Sequence, residues 1–115
     1  MDEIPDPALV VLVGPSGSGK SSWAERRYRP EEIVSSDRLR SLVGSGEHDL
    51  DASEVAFDIL DRVVASRVGR HLTAVVDTLG FDPARRQAHR AAANKAGLPA
   101  VAVLFETPED RCRAR

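Results

Sequence analysis

The stretch GPSGSGKSS, Gly14 to Ser22, sits directly behind the apolar run ALVVLV, Ala8 to Val13, and the pair constrains this chain most. An unbroken apolar run of that length suits a strand buried on both faces of a parallel sheet. Gly14 through Ser21 matches G-x-x-x-x-G-K-[ST] in full, and the residues behind it can form a helix. Strand, glycine-rich loop and helix in that order make a cradle for phosphate. Loop N–H groups converge on phosphate oxygens, and glycines let the chain wrap closely. The positive end of the following helix faces the same anion. The candidate nucleotide-binding residues are Gly14, Pro15, Ser16, Gly17, Ser18, Gly19, Lys20, Ser21 and Ser22. Lys20 can bridge the β- and γ-phosphates of ATP, and Ser21 can ligate Mg²⁺.

The rest of the chain repeats the strand–helix alternation. Residues 1–7 read as a lead-in and residues 8–115 as one domain. Ser21 to Tyr28 forms a short helix that stops before Pro30. A second strand carries Ile33 to Ser35. Ser36 or Asp37 can then cap a brief helix through Leu42, ended by Gly44. Asp51 with Glu54 resembles a capping box. The helix behind it places Ala56, Ile59, Leu60, Val63, Val64 and Val68 on one face, and Gly69 ends it. Thr73 to Asp77 is a third strand. Asp82-Pro83 starts another helix, whose apolar side holds Ala88, Ala91, Ala92 and Ala96. Ala100 to Phe105 is a fourth strand, and Pro108 opens a helix that reaches Arg115 without a cap. Alternation of this kind predicts a three-layer α/β fold with a mostly parallel sheet of about four strands. The uncapped ending reads as a fragment of a longer domain whose lid and last strand are missing.

Composition removes several function classes. Aromatics make up 4% of the chain, too few for a platform that stacks single-stranded bases. A formal charge of −2 gives no global attraction to nucleic acid. The basic clusters RRYR, RRQAHR and RCRAR read first as solvated helix faces. Cys112 is the sole cysteine, so no disulfide closes within the chain and no zinc ligand set exists. No apolar run approaches the roughly 20 residues of a membrane span. MDEIPDP is not a secretory signal, so a cytoplasmic protein is the default expectation. His48, His71 and His89 show no metal or triad spacing and read as surface or boundary residues. Trp23 and Phe57 read as core.

Three polar residues bear on what receives a phosphate. In an open parallel sheet, ligands gather beyond the carboxyl ends of the strands. Asp37 follows the second strand there, and its carboxylate can accept a proton from an attacking hydroxyl, or merely cap the helix behind it. Arg40 lies one turn later, where it can pair with Asp37 or bind a phosphate on the acceptor. Asp77 ends the third strand, where a carboxylate can hold Mg²⁺ directly or through water.

LVVLVGPSGSGKSSWAERRY, IVSSDRLR, VVDTLGFDPARR and VLFETPEDRCRAR, in that order, resemble the 5′-hydroxyl polynucleotide kinases and the AAA-type ATP-binding proteins grouped with them. The resemblance implies a P-loop kinase fold. It implies Lys20 and Ser21 on the ATP phosphates and Mg²⁺, and Asp37 as general base. It further implies Arg40 on the phosphate next to the acceptor hydroxyl, and Arg115 as the first arginine of a lid. The chain carries Asp77-Thr78-Leu79-Gly80 where many members have an asparagine, a departure that bears on the acceptor. The expectation is an ATP-dependent kinase acting on a hydroxyl, foremost the 5′-OH of a nucleic acid. A small-molecule kinase and a nucleotide-binding module without transfer activity are the alternatives.

Overall fold

The computed structural model describes residues 4–15, 18–45, 52–78 and 83–105. Four strands form one parallel sheet in the order β2-β3-β1-β4. They are β1 Leu9–Val13, β2 Ile33–Ser35, β3 Ala74–Asp77 and β4 Ala100–Leu104. The helices are α1 Lys20–Arg27, α2 Ser36–Val43, α3 Ser53–Gly69 and α4 Pro83–Ala96, with a short 3-10 turn at Pro30–Glu32. The expected class, order and strand positions hold. Among the described residues no helix is long and apolar enough to cross a membrane.

Strand order and right-handed crossovers divide the helices between the two faces. The first crossover puts α1 on one face, and the later ones put α3 and α4 on the other. Side chains alternate along each strand, so each strand feeds both layers. Leu9, Val11, Val34, Ala74 and Val76 meet Leu60, Val64 and Val68 of α3 and Ala93 of α4. Val10, Leu12 and Val75 meet Ala24 of α1, with Trp23, Tyr28 and Phe105 packed around them. In α3 the buried residues Ala56, Leu60, Val64 and Val68 recur every four positions, a single stripe along the helix.

Several local expectations are corrected. Ser35 caps α2, its Oγ accepting from the Arg38 N–H at 3.4 Å. Ser36 and Asp37 both lie inside the helix. Ala52 is the N-cap of α3 and supplies no side-chain hydrogen bond, while Asp51 falls outside the described residues. On α4 the buried positions are His89 and Ala93, and Ala88 and Ala91 face solvent. The helix is rotated because His89 finds a partner on α3. Trp23 and Phe57, expected in the core, are half-buried at its margins. The helix expected from Pro108 lies outside the described residues.

Candidate active site

The three parallel strands β2, β3 and β1 bring Ser35, Asp77 and Leu12 into one row across the sheet, just before the chain leaves it. Everything beyond that row belongs to the carboxyl edge. The cradle begins there with Gly14. The N–H of Phe105 donates to the Val13 carbonyl at 2.7 Å, so the end of β4 runs tightly against Gly14. A Cβ on Gly14 would stand 2.7 Å from the Phe105 carbonyl oxygen, which is why only glycine fits. Pro15 is exposed, and its carbonyl accepts from the Ser18 N–H at 3.2 Å. Gly19 takes φ +95°, the left-handed region glycine favours, and opens α1 without a side-chain cap.

Behind that turn the polar groups are held inward. Ser18 is fully buried, and its Oγ has no partner among the described residues. Lys20 is buried, with Nζ donating to the Thr78 carbonyl at 2.8 Å. Ser21 Oγ donates to Asp77 Oδ2 at 2.8 Å. Ser22 faces solvent, and Ser16 and Gly17 lie outside the described residues. An orphaned buried hydroxyl, a close glycine approach and a buried lysine beside an uncapped helix start fit a phosphate group. The Asp77 carboxylate with the Ser21 hydroxyl is an oxygen pair suited to a hard divalent cation. No cluster of three metal-ligating side chains exists among the described residues, so phosphate and water oxygens would complete such a coordination shell.

On the α1 face of the sheet, Ser21, Asp77 and Asp37 line one cavity of about 430 Å³, together with Tyr28 and Arg38. Asp37 is not spent on capping. Its Oδ1 accepts from Arg40, whose side chain is 11% exposed and so largely shielded from water. The alternative in which Asp37 caps the helix is therefore displaced by Ser35. Burial pushes the Tyr28 phenol above its ordinary value, with the Arg27 charge opposing, so the ring stays neutral well past neutral pH. Arg115 lies outside the described residues.

The opposite face holds a larger cavity of about 590 Å³, which begins at Gly14 and Thr78. Its floor is apolar, with Val11, Val76 and Leu60. Its rim carries Phe57 and Glu54 of α3 and Arg85, Arg86 and His89 of α4. Asp61 of α3 ties this rim together. One oxygen accepts from Arg85, and the other meets His89 Nε2 at 2.8 Å. The Arg85 guanidinium also lies over the Phe57 ring, 5.1 Å from its centroid. Sequence reasoning missed this cluster and took His89 for a boundary residue. The available signal was spacing: Asp58 and Asp61 on one helix, Arg85 and His89 on the other, each pair one turn apart. His71, at φ +61°, meets the Ala96 carbonyl at 2.7 Å and fastens the end of α3 to that of α4. His48 falls outside the described residues.

Comparison with known proteins follows the same outline. A protein-family model described as an AAA domain matches residues 9–115. No curated protein matches. Among solved structures, a chain of the Pnkp1/Rnl/Hen1 complex superposes with a TM-score of 0.70 at 20% identity, over 95% of this chain and 38% of that one. The Mycobacterium tuberculosis APS kinase CysC, in complex with AMPPNP and APS, superposes with a TM-score of 0.60 at 22% identity, over 97% of this chain and 69% of that one. A second structure of that kinase gives a TM-score of 0.62 at 22% identity, over 91% of this chain and 79% of that one. The chain thus spans well under half the length of the complex component it matches. With the cradle complete between β1 and α1 and the family match running over almost the whole sequence, the chain belongs to the AAA-domain family and is built as a P-loop kinase-like α/β domain.

Proposed function

We propose that this domain transfers the γ-phosphate of ATP to a hydroxyl group, and that the acceptor is the 5′-OH of a nucleic acid. The observation that carries the reading is that Ser21, Asp77 and Asp37 share one cavity at the carboxyl edge, next to buried Lys20. The fold similarity to the APS kinase and to a chain of the Pnkp1/Rnl/Hen1 complex supports it.

In this reading Lys20, aimed by the Thr78 carbonyl, bridges the β- and γ-phosphates, while loop N–H groups from Gly14 to Ser22 hold the remaining oxygens. Mg²⁺, when bound at Ser21 and Asp77, supplies neutralisation of phosphate charge. Asp37 accepts the proton of the attacking hydroxyl. The new bond forms between that oxygen and the γ-phosphorus, the bond to the β–γ bridging oxygen breaks, and ADP leaves. Arg40 orients Asp37 and brings positive charge to the acceptor side. Little covalent work falls to the protein, and the rate comes from placement and charge.

The test is transfer from γ-labelled ATP to 5′-OH oligonucleotides, with Asp37→Ala as the variant. Loss of a general base lowers transfer about 10²- to 10⁴-fold while ATP binding persists. Unchanged transfer in that variant removes Asp37 from the mechanism. A second reading, a small hydroxyl-bearing acceptor, is favoured by the bounded cavity of about 430 Å³ that holds Asp37. Competition between oligonucleotides and mononucleotides for transfer separates the two readings.

A further inference from the structure

We propose that Arg38 holds an anionic group of the acceptor, a phosphate on the same sugar as the attacking hydroxyl, and that the acceptor's nucleoside body lies along α1 in the cavity beside Asp37. The assignment rests on the kinase reading above, since it concerns how the second substrate of that reaction is held.

Position comes first. The cavity is lined by Ser21 and Asp77, the oxygen pair suited to Mg²⁺, and by Asp37, the base proposed for the hydroxyl. An acceptor whose hydroxyl reaches both must occupy this cavity. At about 430 Å³ it lies within the range of roughly 300–1,000 Å³ usual for small-molecule sites. One wall is a stripe running down α1 through Ser21 and Glu25 to Tyr28, about 10 Å at the helical rise per residue. Ile33 opens β2 and Ser35 closes it, so Tyr28, Pro30 and Ile33 make the end remote from Asp37. That end is weakly polar and suits a nucleobase.

Charge then divides the cavity. Two arginines follow Asp37 on α2, and they are used differently. Arg40 donates to Asp37 Oδ1, its side chain is 11% exposed, and it is not among the described residues that line the cavity. It is a positioning residue for the base. Arg38 is exposed and lines the cavity. Its backbone N–H is taken by the Ser35 cap, but its guanidinium makes no bond to a described residue. A planar guanidinium next to the base, with its donors unspent, fits the oxygens of a phosphate. Glu25, midway along α1, likewise has no partner among the described residues. Its carboxylate repels a phosphate, so the anion is confined to the Arg38 end and the neutral base is directed toward Tyr28. In a strand that begins with a 5′-OH, the nearest phosphate is attached to the same sugar. Hydroxyl and anion therefore arrive together, at the neighbouring residues Asp37 and Arg38.

The probe is thymidine 3′-monophosphate, titrated by calorimetry into the full chain while the cradle is saturated with a non-hydrolysable ATP analogue and Mg²⁺. It is expected to bind about tenfold tighter than thymidine, the size of one charge-assisted contact. Arg38→Gln should erase that preference and leave affinity for the ATP analogue as in the parent. Arg40→Lys should keep the preference and lower kcat for transfer with KM little changed. If the parent does not prefer the monophosphate, or Arg38→Gln keeps the preference, the assignment is overturned. It is also overturned if Arg40→Lys loses the preference and Arg38→Gln does not. An Arg38→Gln chain that loses the ATP analogue, at an unchanged circular dichroism spectrum, places Arg38 on the donor and overturns it too. If the preference depends on Arg38 but no labelled phosphate reaches the 5′-OH, the kinase reading falls and the assignment of Arg38 stands.

Discussion

The two faces of the sheet are built to different plans. One is covered by α3 and α4 and filled almost entirely with aliphatic side chains, Leu60, Val64 and Val68 at its centre. The other is covered by α1, eight residues long, and leans on rings: Trp23 packs with Tyr28 at 6.0 Å and with Phe105 at 5.7 Å between centroids. A short helix buries little surface unless its side chains are large, and Trp23, Tyr28 and Phe105 gather where cover is thinnest. The same thin face carries Ser21, Asp77 and Asp37. The thick face carries the larger cavity instead. The two cavities thus lie on opposite sides of the sheet, and on the thin face the one helix that packs also carries Ser21, bonded to Asp77.

That contrast can be broken by substitution. Leu60→Ala on the thick face should give the largest stability loss, about 3 kcal/mol in chemical denaturation. ATP affinity per folded molecule should hardly move, because Leu60 supports α3 and not the cradle. Trp23→Ala should cost less, about 2 kcal/mol, since the ring is only half-buried. It should also weaken ATP binding several-fold, because the helix it anchors begins with Lys20. Equal nucleotide affinity in the two variants would erase the distinction between the faces. Ser35→Ala should be mildest, about 0.5 kcal/mol, since it removes one long capping bond. Its expected signature is a drop in transfer rate at unchanged ATP affinity, as the first turn of α2 carrying Asp37 loosens.

Much of this layout was legible in the residues. ALVVLV followed by the glycine-rich loop fixes a buried strand, a cradle and a helix, because each depends on neighbours in sequence. The stripe on α3 is equally plain, since its period is carried by Leu and Val. The face of α4 was not. Alanine is nearly indifferent to burial, so Ala88, Ala91, Ala92 and Ala96 carried a weak signal. The orientation was decided by His89 reaching Asp61 on another helix. The cap of α2 failed for a related reason. Ser35, Ser36 and Asp37 are all good capping residues, and the choice among them depends on where β2 leaves the sheet. Pairing across helices and the exact exit of a strand are three-dimensional facts that local pattern does not encode.

The bond between Lys20 and the Thr78 carbonyl has one more consequence. The Lys20 ammonium has three N–H donors and the Thr78 carbonyl takes one, so that bond aims the group while leaving donors for phosphate oxygens. The gain then comes from setting a multiply charged anion against a buried cation. Affinity for nucleotide should therefore climb steeply with the number of phosphates and fall as salt rises. The carbonyl bond thus works as a tether, holding the charge of Lys20 where the phosphates are expected.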